Sequence, residues 1–213
     1  MKVLIACEFT GTMRDAFIKA GHDAMSCDLL PTENPGPHYQ GNIFDILYDG
    51  WDLLIGHPPC TYLSYAATKY WYQPGRARKR IEALQFFLQL WEAPIDKICL
   101  ENPMGCANEM IAKYSQIIHP YYFGDSDLKK TCLWLKNLPL LVHIKEDDLF
   151  EKRTHAEKPE PTYVDKSGKK RYFTDAISGS NNGGHNRSRS FPGIAKAMAE
   201  QWSNLNGFEK TKV

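Results

Sequence analysis

The sequence predicts an α/β fold built on a mostly parallel, mixed sheet. Three observations carry this. Over the first two-thirds of the 213 residues, short apolar runs alternate with stretches of helical periodicity. Glu8, Asp28, Cys60 and Glu101 each stand just past one of those runs, at the strand ends where such sheets collect ligands. Later, Ile117 to Phe123 and Cys132 to Leu135 read as strands with no helix between them, so the sheet is not expected to be purely parallel.

The elements follow in order. Lys2 to Cys7 is an apolar first strand that stops at Glu8-Phe9-Thr10-Gly11. From Thr12 to Ala20, Met13, Ala16, Phe17 and Ala20 share one helical face, and Gly21 ends the helix. His22 to Cys27 is a second strand, followed by Asp28. Leu30 to Gln40 holds three prolines and reads as loop. Trp51 to Ile55 is a third strand, ending at Gly56. Arg76 to Trp91 is helical, with Ile81, Leu84, Phe87, Leu88 and Trp91 at core spacing. Ile95 to Leu100 is a further strand, ending at Glu101-Asn102-Pro103. Phe191 to Leu205 returns to helix, with Ile194, Met198, Ala199 and Trp202 on one face. Residues 143–190 are polar and weakly periodic. They are expected to form a small loop-rich insertion in a single domain spanning 1–213.

Composition narrows the partners. A chain 43% apolar and 24% charged is ordinary for a globular protein. No apolar run approaches the roughly 20 residues of a membrane span, and the N-terminus does not read as a secretory signal. A net charge of +1 requires any nucleic-acid footprint to be local. None of the six cysteines forms a CxxC pair, and the histidines do not pair at ligand spacing, so no metal site is assigned. Free cysteines in apolar contexts imply a reducing, cytoplasmic setting.

The strand ends carry the candidate chemistry. Gly11 in a strand-to-helix turn permits close approach of a ligand, and a helix N-terminus favours an anion; an ordinary turn fits the same residues. Asp28 suits a ribose diol. Asp45 suits an adenine amino group or a surface turn. In Gly56-His57-Pro58-Pro59-Cys60, two prolines end the strand abruptly and present the thiol on a rigid turn. That placement suits a nucleophile; the bland alternative is a cysteine that packs. Glu101 lies within reach of Cys60 if their strands are neighbours, where an acid can hold a proton on a substrate. Tyr62 to Arg80 mixes Tyr65, Tyr70, Trp71 and Tyr72 with Arg76, Arg78, Lys79 and Arg80, a combination suited to stacking and phosphate contact. Residues 166–189 set six basic side chains against Asp175 alone, as a nucleic-acid contact or a solvated loop would.

In order along the chain, these residues resemble the DNA cytosine carbon-5 methyltransferase family. Phe9-Thr10-Gly11 is similar to its first cofactor motif, and Asp28 and Asp45 to its ribose and adenine contacts. Pro58-Pro59-Cys60 with Ser64 resembles the nucleophile motif, and Glu101-Asn102 the Glu-Asn-Val motif. Asn186 to Trp202, with Phe191-Pro192-Gly193-Ile194-Ala195, resembles the final motif. The departures are Cys7-Glu8 in the first motif, Thr61 after the cysteine, Pro103 after Glu-Asn, and Lys129-Lys130-Thr131-Cys132-Leu133-Trp134 where the family has Gln-x-Arg-x-Arg. The span between Leu141 and Ser190 is too short for the family's target-recognition domain, so the chain resembles a compact, phage-type member.

The resemblance implies a Rossmann-like methyltransferase fold and S-adenosylmethionine as methyl donor. The cofactor residues would be Glu8, Phe9, Thr10, Gly11, Asp28, Asp45 and Pro58. Cys60 and Glu101 would be catalytic, acting on carbon 5 of cytosine in DNA. Ser64, Arg76, Arg78, Lys129, Lys130, Arg187 and Arg189 would meet nucleic acid. A free cytosine nucleotide as substrate, a non-catalytic DNA-binding relative and a modified donor group are the alternatives left open.

Overall fold

The computed structural model describes residues 1–143, 158–172 and 189–203. Seven strands form its main sheet: β1 (Lys2–Ala6), β2 (Asp23–Asp28), β3 (His38–Gln40), β4 (Leu53–Gly56), β5 (Lys97–Asn102), β6 (Gln116–Ile118) and β7 (Thr131–Lys136). Their spatial order is β3-β2-β1-β4-β5-β7-β6. The first five are parallel, and β7 alone runs against its neighbours β5 and β6. This is the expected α/β, Rossmann-like architecture. The chain moves outward from β1 through β2 to β3, then returns to β4 on the other side of β1. The order therefore reverses between β1 and β4, which makes their carboxyl ends the switch point where a ligand crevice forms.

Alternating side chains in the central strands feed two cores. Leu4, Ala6, Leu54, Ile98 and Leu100 face one side, with Phe87, Leu90 and Trp134. Val3, Ile5, Leu53, Ile55 and Cys99 face the other. A parallel strand buried on both faces must be apolar throughout, and Val3 to Ala6 are fully buried. Helix α2 (Arg76–Trp91) covers the first face. Helices α1 (Thr12–Lys19) and α4 (Pro192–Trp202) cover the second, where Met13, Phe17, Ile194, Met198 and Trp202 meet. A short helix, α3 (Ala107–Met110), follows β5.

Several sequence expectations shift. His38–Gln40 lies in the stretch read as loop but pairs with β2 as edge strand β3. Ile117 to Phe123 is not one strand: Pro120 cannot donate to a ladder, and Pro120–Phe123 turns into a 3₁₀ helix. On α2 the buried positions are Phe87 and Leu90, whereas Ile81 and Leu88 are exposed. Ala20 is exposed beyond the end of α1. Of the loop-rich region, the described part is a small hairpin of β8 (Tyr163–Val164) and β9 (Lys170–Arg171). Among the described residues no helix is long and apolar enough to cross a membrane.

Candidate active site at the switch point

The turn after β1 is built around an inward-facing acid. Glu8 is buried; its Oε1 accepts the Met13 N–H at 2.6 Å and the Thr10 hydroxyl at 3.1 Å, and its Oε2 accepts the Arg14 N–H at 3.3 Å. The carboxylate thus caps the N-terminus of α1, where the orphan amides and helix dipole favour it. Glu8, expected among the cofactor residues, has both carboxylate oxygens committed to the turn it shapes. Phe9 and Thr10 are buried beside it. Gly11 has a left-handed backbone (φ 77°), and a Cβ there would lie 2.4 Å from the Arg14 guanidinium. Glycine is required here to admit Arg14, a different reason from ligand approach.

Arg14 was not among the residues expected at the site. It is fully buried and donates to Ser26, Thr32, Asp15 and the Asn34 carbonyl. It thereby pins the loop after β2 against α1, and the Glu33 N–H donates to the Phe9 carbonyl at 2.8 Å. Asp28 ends β2 half-buried, with Oδ1 accepting the Leu30 N–H at 2.9 Å. Asp45 is exposed and its Oδ2 accepts the Tyr39 hydroxyl. Cys7, at the end of β1, also has left-handed backbone (φ 59°).

The turn after β4 is fastened to β5. His57 donates its N–H to the Ala6 carbonyl at 3.0 Å, and Asn102 donates Nδ2–H to the Pro58 carbonyl at 2.6 Å. Pro58 is buried, Pro59 exposed and Cys60 half-buried. Downstream, the Cys106 N–H bonds the Leu63 carbonyl and the Tyr65 N–H bonds the Met104 carbonyl, at 2.9 and 3.1 Å. The loops after β4 and β5 are therefore stitched together, with Cys60 on one and Glu101 at the base of the other. Cys7, Cys27, Cys99, Cys106 and Cys132 are each pushed toward the neutral thiol, burial being the largest cause. None of the five suits a nucleophile.

Glu101 sits in a cluster that the sequence did not reveal. His57 Nδ1 lies 2.9 Å from Glu101 Oε2, and Lys129 Nζ lies 4.0 Å from Oε1. Burial raises the Glu101 pKa, but the Lys129 charge and the His57 hydrogen bond outweigh it and bring the pKa to about 2. Lys129 also lies over the Phe191 ring at 5.5 Å. It belongs to this cluster, not to an outer nucleic-acid surface. His57 follows a predicted strand that ends at Gly56, and its partner comes from β5; only the β4–β5 pairing brings the two together.

The expected nucleic-acid residues divide. Ser64 is buried and its hydroxyl accepts the Ala66 N–H, capping the 3₁₀ helix Tyr65–Tyr70; it shapes the loop and presents nothing to a phosphate. Arg76 donates to the Thr61 carbonyl at 2.9 Å and lies over the Tyr62 ring at 4.8 Å. Arg80 stacks on Trp71 at 3.9 Å. These aromatic and basic residues hold each other and brace the segment after Cys60. Arg78 is exposed and pairs with Glu82, and Lys130 is exposed. Arg189 makes a two-pronged ion pair with Glu33 at 2.9 and 2.7 Å, so its guanidinium is engaged within the chain. Arg187 lies outside the described residues, as does most of the basic stretch it belongs to.

No family model and no curated protein sequence matches the chain. Among solved structures it is similar to a crystal structure of a triple mutant of Spodoptera frugiperda DNMT2, at 17% identity and a TM-score of 0.40. That alignment covers 75% of this chain and 57% of the other. A likeness so distant carries no functional argument, and the reading of the site rests on its own geometry.

Proposed function

We propose that this chain is an S-adenosylmethionine-dependent methyltransferase acting on carbon 5 of cytosine in DNA, through a covalent adduct at Cys60. The observation that supports it best is the pairing at the switch point. A half-buried cysteine on a Pro-Pro turn is fastened by Asn102 to the strand that carries Glu101. The catalytic unit is read as one domain spanning the chain.

The donor's residues fit in part. Asp28, half-buried at the end of β2, has one oxygen in a local turn and leaves the other for a ribose diol. Phe9, Thr10 and Gly11, in the turn that Glu8 shapes after β1, and Pro58, in the turn after β4, would line the donor's crevice at the switch point. Asp45, exposed and bonded to Tyr39, is the weakest member of the set. S-adenosylmethionine would supply an electrophilic methyl group. Cys60 would add to carbon 6 of the cytosine, making carbon 5 nucleophilic. The Glu101 cluster would stabilise the charge and proton that arrive on the ring. Carbon 6 is hidden in a duplex, so a DNA substrate requires an extruded base. The exposed Arg78, Lys130 and Tyr72 are available for backbone and base contact.

Covalent trapping tests the reading. The protein is incubated with S-adenosylmethionine and oligonucleotides carrying 5-fluorocytosine, whose fluorine blocks the final elimination. Wild type should give a stable adduct and Cys60→Ser none. Absence of an adduct across varied oligonucleotides, with an active cytosine methyltransferase as positive control, refutes the DNA assignment. An adduct that survives Cys60→Ser refutes the nucleophile. Faster turnover of 2′-deoxycytidine monophosphate than of any oligonucleotide would move the substrate to the free nucleotide.

A further inference from the structure

Both oxygens of the Glu101 carboxylate face partners in this chain, and the polar atom left without a partner belongs to His57. Glu101 Oε2 takes His57 Nδ1 at 2.9 Å, while Lys129 stands 4.0 Å from Oε1. An ionised carboxylate only accepts hydrogen bonds, so Nδ1 carries a proton and donates it. That fixes the ring and leaves Nε2 as its working atom. Nε2 is buried and makes no hydrogen bond. A buried polar atom without a partner is costly. His57 lines a cavity of about 20 Å³ with Glu101, Thr131, Met13, Ile194 and Met198, closed by Arg189, Ser190 and Phe191. Thr131 is 2% exposed, and its hydroxyl also lacks a partner. Two lining residues of one cavity, each with an unsatisfied polar atom, mark a place for a polar guest.

We infer that His57 is the residue that touches the substrate ring, presenting Nε2 to ring nitrogen 3, and that Glu101 is a positioning residue acting through it. This rests on the cytosine reading above. The step balances as follows. As the Cys60 sulfur bonds to carbon 6, the carbon 5–carbon 6 electron pair moves toward carbon 4. The nitrogen 3–carbon 4 pair moves onto nitrogen 3, which takes the Nε2 proton of a doubly protonated His57 imidazolium, leaving a neutral ring that keeps its Nδ1 proton on Glu101. After carbon 5 has gained the methyl group, its proton leaves to water and the carbon 6–sulfur bond breaks. Nitrogen 3 then returns its proton to Nε2, and the thiolate is restored. Thr131 is placed to bond a ring substituent. The cavity has room for one water and none for a pyrimidine. A base reaching Nε2 therefore displaces the adjoining segment Arg189–Phe191, whose tie to Glu33 is a partly exposed ion pair.

His57→Asn tests this, because its amide can keep the bond to Glu101 while removing the atom at Nε2. The rate of adduct formation with the 5-fluorocytosine oligonucleotide is measured for wild type, His57→Asn, Glu101→Gln and the double variant, with thermal midpoints recorded for all four. General acid catalysis supplies about 10²–10⁴-fold. His57→Asn should therefore slow the adduct at least tenfold while its midpoint stays within a few degrees. The double variant should be no slower than the slower single one, because two residues acting as a unit are not additive. If His57→Asn loses less than tenfold, or the two losses multiply, the inference is overturned and the cytosine reading survives. If His57→Asn does not fold, His57→Gln is used instead: its amide reaches the Nε2 position but cannot give up a proton, so it should also slow the adduct at least tenfold, and a smaller loss overturns the inference. No adduct from wild type overturns the cytosine reading itself, and this inference with it.

Discussion

Gly105 offers a sharp test of how Cys60 is held. It lies in the loop after β5, and a Cβ there would sit 2.2 Å from the Leu63 carbonyl oxygen, 2.7 Å from the Leu63 carbonyl carbon and 3.0 Å from Ser64 Cα. All three are backbone atoms, so no side chain can swing aside. Carbon–oxygen contacts settle near 3.3 Å, so Gly105→Ala must drive the two loops about 1 Å apart. Forced overpacking costs about 1–3 kcal/mol. Losing the Cys106–Leu63 and Tyr65–Met104 backbone bonds adds about 1 kcal/mol each. The expected loss is therefore about 3–5 kcal/mol if the Gly105 loop is pushed away and both bonds break. If the Leu63 loop yields instead, Cys60 moves with it, and a displacement near 1 Å costs about 10²-fold in rate. Urea denaturation and adduct formation on 5-fluorocytosine DNA read the two outcomes. Gly21→Ala is the control: its φ of 86° is strained for alanine, but nothing lies within 4 Å. It should cost about 1 kcal/mol with no change in adduct rate. A Gly105→Ala protein within about 0.5 kcal/mol of wild type, forming adduct at the wild-type rate, would refute the stitched-loop account.

Three further outcomes follow from the same geometry. Asn102→Ala should release the Pro58 carbonyl, slowing adduct formation about tenfold or more and costing about 1–3 kcal/mol in urea; an unchanged rate would mean the Pro-Pro turn is held by other means. Glu101 has a folded pKa of about 2 against an ordinary 4.5. Its contribution is therefore present above about pH 4.5 and lost as pH falls toward 2, with a ceiling of about 3 kcal/mol. The stability gap between wild type and Glu101→Gln should be flat from pH 7 to 5 and narrow below that; a gap independent of pH would contradict the ion cluster. Arg14→Met should destabilise the protein by about 2–4 kcal/mol and weaken S-adenosylmethionine binding through the loop after Asp28, which calorimetry can follow.

What the sequence made legible was the placement of chemistry, because it depends on local rules. Strand ends are marked by a change from apolar to polar residues, and in a parallel sheet those ends share one edge. Asp28, Cys60 and Glu101 were accordingly found on the edge where the structure has its switch point. Partnership was not legible, because it depends on which strands become neighbours. The β4–β5 pairing sets His57 beside Glu101, though 44 residues separate them. Edge strand β3 was hidden among prolines, since a three-residue strand exists only through its ladder to β2. Ser64 was expected among the nucleic-acid contacts because its cap is formed by a turn that periodicity does not reveal. Arg14 did leave a trace: it falls between Met13 and Phe17 on the buried side of α1. A charge on an apolar stripe implies buried partners, here Ser26, Thr32 and the Asn34 carbonyl.

The same logic separates the residues that could do chemistry from those that shape the site. Glu8, Ser64, Arg76 and Arg189 have working atoms taken up by neighbours in the chain, so they fix where things stand. Glu101 would join them, were it not that its main partner is an imidazole. A carboxylate bonded to a backbone amide is finished; bonded to Nδ1, it transmits its charge to Nε2, on the far side of the ring. That atom is the buried, unsatisfied one. The departure from the expected motif at Lys129 and the His57–Glu101 pairing then have a common sense. The acid is neutralised and oriented by two residues of this chain, and its proton chemistry is carried one ring further into the cavity.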